Sequence, residues 1–137
     1  MSSRVFSLKS RLRGFLRDDK GSFTIEALFW LPIFVVVLSM CADTALIYAK
    51  QSQVLRVVQD ANRQFAVGKF ADGPATVAYI LGVVRATSPN ATATSVLDNG
   101  IITTTVTMPA RDLVATGVIP MMRTMNVRVV LQQMKEI

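Results

Sequence analysis

The sequence predicts an α+β chain: a long N-terminal helix that is membrane-spanning and then amphipathic, one shorter helix, and a small C-terminal antiparallel β-sheet. Three observations carry this. A charge-free run of sixteen residues, ALFWLPIFVVVLSMCA from Ala27 to Ala42, is followed by apolar residues at helical spacing to Phe65. A second apolar stripe lies between Gly73 and Ser88. Beyond Pro89, alternating apolar and polar residues flank Asp98-Asn99-Gly100, a strong hairpin turn because Asn and Gly accept positive φ.

The first helix can be justified residue by residue. From Ala27 to Ala49 the chain runs 23 residues with Asp43 as its one ionisable group. At about 1.5 Å per residue that is roughly 35 Å, enough for a hydrocarbon core of about 30 Å. A buried core helix is the competing explanation, but 23 residues is long for one, and 88 residues follow Ala49 to enclose it. Past Lys50 the pattern changes: Val54, Val57, Val58, Ala61 and Phe65 recur on one face, with Arg56, Gln59, Asp60, Arg63 and Gln64 filling the other. A helix from Thr24 to Phe65 would be 42 residues long, about 63 Å.

Gly68 and Asp72-Gly73-Pro74 end that helix, and a shorter one is expected from Ala75 to Arg85, with Val77, Ile80, Leu81 and Val84 as its packing stripe. Strands follow from Thr92 to Leu97 and from Ile101 to Met108, the latter with Ile102, Thr104, Val106 and Met108 on one face. A third runs from Met125 to about Gln133, with Met125, Val127, Val129 and Leu131 alternating against polar residues. Met121, Met122, Met125 and Met134 are expected as core filler, and Cys41 as a buried small apolar side chain. So small a head buries only a modest core and would gain from partners.

Composition removes several function classes. The 137 residues are 51% hydrophobic and 18% charged, with mean hydropathy +0.42, above ordinary soluble usage in apolar content and below it in charge. With no histidine and the single Cys41, Ser-His-Asp triads, Cys/His pairs, the usual zinc sites and intrachain disulfides are excluded. The remaining carboxylates, Asp98 and Asp112 among them, form no evident acid/base pair, so neither a catalytic residue, a metal site nor a cofactor is expected. The net charge of +6 is segregated. Residues 1–21 hold six basic against two acidic groups, whereas the remaining 116 hold nine against seven. The basic character is that of a leader that stops where the apolar run begins, and no nucleic-acid partner is expected. Positive flanks stay on the cytoplasmic side, which places the N-terminus inside and the C-terminal part outside.

The junction between leader and apolar run is Lys20-Gly21-Ser22-Phe23-Thr24-Ile25-Glu26. A Sec signal would place a small-residue cleavage site after the apolar stretch. Here a glycine closes the basic leader, and a glutamate five residues on stands at the entrance to the helix. That order resembles the signal of type IV pilins and pseudopilins. From Arg13 to about Tyr48, with Gly21, Glu26, Ala27-Leu28, Leu31-Pro32 and Asp43, it resembles more narrowly the TadE-like minor pilins of the Tad (tight adherence) branch. The likeness covers about the first third of the chain. Two features depart from it: many members carry an aromatic after the glutamate where this chain has Ala27, and the chain is much longer than the major Flp pilins.

The resemblance implies cleavage by a prepilin peptidase between Gly21 and Ser22, with Glu26 the fifth mature residue and the Ser22 ammonium its partner, setting register between helices. It divides the chain into a leader (1–21), a transmembrane helix (22–49) and an extracytoplasmic head (50–137). It also implies a non-enzymatic subunit needed for pilus assembly and surface adhesion, whose partners are the peptidase, other minor and major pilins, the inner-membrane assembly platform and the bilayer. The expected location is the bacterial inner membrane, single-pass, with the head periplasmic and a place in an extracellular pilus. Glycine suits the cleavage position because it lacks a Cβ, and a carboxylate heading an apolar helix is functional by default. Each also has a plainer explanation, Gly21 as a loop residue and Glu26 as a charge complementing the helix dipole.

Pro32 is read as a tolerated kink. Asp43 is read as lying near the far interface with access to water, the alternative being a helix–helix contact. Two rival anchors stand beside the pilin reading. One is an unprocessed bitopic anchor whose outer domain binds a partner in a secretion or envelope complex. The other is a lipoprotein, since Leu38-Ser39-Met40-Cys41 partly resembles a lipobox, although Met40 is larger than the residue normally found there.

Overall fold

The computed structural model describes residues 20–136, with side chains from Thr24 onward. Helix α1 (Lys20–Ala66) is 47 residues long and continuous through Pro32. It begins a turn before Thr24, so the backbone at Gly21 and Ser22 is helical. Helix α2 (Gly73–Val84) is followed by strands β1 (Thr92–Asp98) and β2 (Ile101–Pro109), a 3-10 turn (Ala110–Asp112), the short helix α3 (Pro120–Thr124) and strand β3 (Asn126–Met134). The fold is therefore α+β: a long N-terminal helix, a shorter helix and a three-stranded antiparallel sheet. The chain divides into two units at Leu38–Ser39.

In the first unit, the apolar side chains from Ile25 to Leu38 on α1 are exposed. None of the most apolar window of α1 is buried within the protein. A soluble core helix would bury this surface, so the core-helix explanation is set aside. One long apolar helix near the N-terminus is compatible with a single-pass membrane anchor.

In the second unit, the sheet order is β1-β2-β3. Asp98 pairs with Ile101 across a two-residue turn. Asn99 (φ 49°) and Gly100 (φ 80°) both occupy the left-handed region that such a turn requires. The register then fixes the faces: Val106 stands between Ala93 and Val129, Thr104 between Ser95 and Leu131, and Met108 beside Val127. Because side chains alternate along a strand, Ile102, Thr104, Val106 and Met108 all point inward, and all four are buried. Val106 and Met108 pack with Val54, Val58 and Ala61 of α1 and with Ile80 and Val84 of α2 in one apolar cluster, and Ile102 packs with Phe65 and Ala66 of α1 in a second. The amphipathic half of α1 is thus the core helix of the head.

Helix α2 starts at Gly73, two residues before the expected Ala75, because Asp72 caps it. The Asp72 carboxylate accepts from the Ala75 amide at 2.9 Å, and Pro74 sits in the first turn, where its missing N–H costs nothing. Its buried line is Thr76, Ile80 and Val84, with Val77 and Leu81 half-buried beside it. Gly73 lies so close to β1 that a Cβ there would collide with the backbone carbonyl oxygen of Ser95. Gly73→Ala is therefore expected to cost about 1–3 kcal/mol by forcing α2 off the strand. Gly82→Ala, at a position with open space around it, should be neutral or slightly stabilising, because alanine is the better helix former. Guanidinium midpoints of the full chain in detergent check both; equal midpoints for the two variants would contradict the close approach.

Asn62 brings an unforeseen amide into the core. Asn62 is fully buried, its Oδ1 accepting from the Thr104 hydroxyl at 2.6 Å, while Thr104 also bonds Ser95 at 2.9 Å. Among the described residues the Asn62 Nδ2 has no hydrogen-bond partner.

Two expectations are corrected. Cys41 is exposed rather than buried, since it lies on a stretch of α1 that the protein does not cover. The C-terminal methionines are not core filler: Met121, Met125 and Met134 are exposed and Met122 is half-buried. Met121 is on α3 and Met125 follows it directly, outside the sheet's inner face, while Met134 pairs with Ile101 on the outer face.

Candidate functional site

The positions expected for cleavage and register, Gly21, Ser22 and Glu26, lie in the first two turns of α1. Gly21 and Ser22 are described by backbone alone, and residues 1–19 of the expected leader (1–21) lie outside the described residues. Glu26 is exposed, and its side chain makes no hydrogen bond or ion pair among the described residues. Glu26 is four positions after Ser22 on α1, about one helical turn, a spacing that places the two positions on one face of the helix. Pro32, further along the same helix, is exposed.

The best-built polar site is at Asp43. It is 1% exposed, which corrects the expectation of water access. The loop after the 3-10 turn supplies its partners. One carboxylate oxygen accepts from the amides of Ala115 (3.0 Å) and Thr116 (2.9 Å), the other from the Thr116 hydroxyl (2.6 Å) and the Gly117 amide (2.9 Å). Four donors around one carboxylate make burial tolerable, since a buried charge must be hydrogen-bonded. Three successive amides can converge in this way because Gly117 turns the chain at φ 56°. The Arg123 side chain lies over Gly117, where a Cβ would come within 3.1 Å of its Nε.

The same segment is tied down at its start. The Asp112 carboxylate accepts from the Ser88 hydroxyl at 2.8 Å and from the backbone and side-chain amides of Asn90 at 3.2 and 3.3 Å, and Arg111 lies 3.8 Å away. Burial pushes the Asp112 carboxyl up, but the bonds from Ser88 and Asn90, with Arg111, outweigh it and hold the carboxyl below its ordinary value. Lys50 Nζ donates to the Asp112 carbonyl at 3.3 Å. Beside the segment, a groove of about 180 Å³ is lined by Thr44, Ile47 and Tyr48 on α1 and by Met122, Met125 and Val127.

Chemically, both aspartates are saturated acceptors that fix backbone, a poor arrangement for proton transfer. Asp98 and Asp112 stand at different places in the head, in the hairpin and the 3-10 turn. Among the described residues, His, Cys, Asp and Glu form no group of three or more that could hold a metal. The sequence singled out Asp43 but not its partners. Thr116-Gly117 was the available signal, a donor side chain beside a residue free to adopt positive φ.

No protein family model, no curated protein and no solved structure matches this chain.

Proposed function

We propose that the chain is a minor pilin-like subunit of a Tad-type pilus, inserted in the bacterial inner membrane with its N-terminus cytoplasmic, cleaved after Gly21, and assembled with other pilins to serve surface adhesion. The observation that carries this reading is the exposed apolar stretch of α1 with Gly21 and Glu26 at its head, continuing without a break into the core helix of the head. The prepilin peptidase, the major and minor pilins, the assembly platform and the bilayer are the partners it requires.

In this account, cleavage frees the Ser22 ammonium. Glu26, exposed at the start of the apolar surface, offers it a carboxylate either within one helix or between neighbouring ones. In an apolar packing of helices, that pair fixes axial register as a buried polar group does in a coiled coil. The helical backbone at Gly21 must open to reach the peptidase, and a glycine there weakens the first turn. Glu26→Ala is expected to leave cleavage intact while reducing the subunit in the sheared surface fraction by about tenfold or more, because the Ser22 ammonium would be left unpaired. Wild-type incorporation of the cleaved variant would remove Glu26 from the account.

A further inference from the structure

We propose that the segment from Val114 to Met125 is a second membrane contact: a surface loop that rests on the outer face of the bilayer and seats the head against anionic lipid. The proposal rests on the reading of α1 as a membrane span and adds a partner for a part of the head which that reading leaves unassigned.

The placement follows from helix length. About twenty residues of helix cross a hydrocarbon core of about 30 Å. Counted from Phe23 the span closes at Ala42, and counted from Ala27 it closes at Leu46. Asp43 therefore falls within one turn of the outer boundary by either count. Its carboxylate is bonded to Ala115, Thr116 and Gly117, so the loop is held at that level. A carboxylate beside hydrocarbon must be satisfied by protein, and here it is.

What the loop presents there fits lipid. Met121 is 71% exposed, Met125 56% and Val118 45%, an apolar set on a segment whose polar backbone is partly taken up by Asp43. The exposed charges of this region are Arg111 and Arg123, since Asp112 is half-buried and bonded to Ser88 and Asn90. Apolar side chains beside arginine make the composition of an interfacial anchor on an anionic surface. Tyr48, 65% exposed on α1 beside the same groove, is a residue type that gathers at the membrane–water interface.

The test uses the full chain in vesicles of phosphatidylcholine with a minor fraction of phosphatidylglycerol. In a Cys41→Ala background, an environment-sensitive fluorophore is attached through Met121→Cys or, as control, through Val96→Cys on the outer face of the sheet. Trp30, the single tryptophan, reports the span, and quenchers attached to the lipid chains report contact. The expected result is quenching of Trp30 together with quenching at position 121 at least about twofold stronger than at 96. Quenched Trp30 with positions 121 and 96 alike would overturn the surface contact and leave the span standing. A blue-shifted label at 121 without lipid quenching would overturn it in favour of a protein occupant. Unquenched Trp30 would bring down the span and the proposal together.

Discussion

Replacing Asp43 by alanine is expected to loosen the loop from Val114 to Met125 and to cost the head about 3 kcal/mol. The variant removes the acceptor of four hydrogen bonds, three of them from consecutive amides, and leaves those donors facing a cavity. Individual bonds to a charged acceptor contribute about 1.5–3 kcal/mol, and recovered hydration returns part of the total. Asp43→Asn keeps one carbonyl oxygen but turns an NH2 group toward the remaining donors, so it should lie between alanine and wild type. Hydrogen exchange of the full chain in detergent reads this directly. The Ala115, Thr116 and Gly117 amides should exchange about a hundredfold faster in the alanine variant, the ratio equivalent to 3 kcal/mol. Unchanged exchange at all three would mean that the carboxylate does not hold the loop.

The second large effect concerns the exposed half of α1. Phe34→Arg combined with Val37→Arg is expected to abolish membrane integration while the head stays folded. Each arginine near the centre of a span costs about 2.5–3.5 kcal/mol on the insertion scale, so the pair shifts insertion by about 5–7 kcal/mol, on the order of ten-thousandfold. Both positions are exposed and belong to the first of the two units, whereas the clusters around Val58, Val106 and Ile102 belong to the second. The double variant should therefore lose its alkali-resistant membrane fraction and keep wild-type amide protection in β2. Retention in the membrane would contradict the span. Loss of protection in β2 would show instead that this stretch supports the core.

Much of this architecture was legible because it is periodic. The change from all-round apolar residues to a stripe near Lys50, the alternation from Ile101 to Met108 and the Asn99-Gly100 turn are local signals, and each gave its element to within a few residues. Asp43 was legible as unusual but not as buried. Its partners lie more than seventy residues away, and a carboxylate–amide pairing leaves no spacing in the sequence. The methionines misled for a different reason: apolarity says that a side chain gains by leaving water, not whether protein or lipid receives it. Cys41 is the same case, on a helix where apolar character and exposure coincide. Asn62 carries no sequence signal of its burial, because a buried amide bonded to Thr104 looks in sequence like any polar residue on an amphipathic helix. The 3-10 turn and α3 are too short for periodicity, and Pro120 at the start of α3 was their one cue.

The central claim is that the basic leader is removed after Gly21 while the helix stays in the membrane. Intact mass of the protein extracted from membranes of cells carrying a prepilin peptidase, beside a Gly21→Ala variant, tests it most directly. A chain beginning at Ser22, replaced by the full-length chain in the variant, is the result expected. A full-length wild-type chain with active peptidase present would contradict the claim and leave an uncleaved anchor, and a lipid-modified chain beginning at Cys41 would contradict it in favour of a lipoprotein.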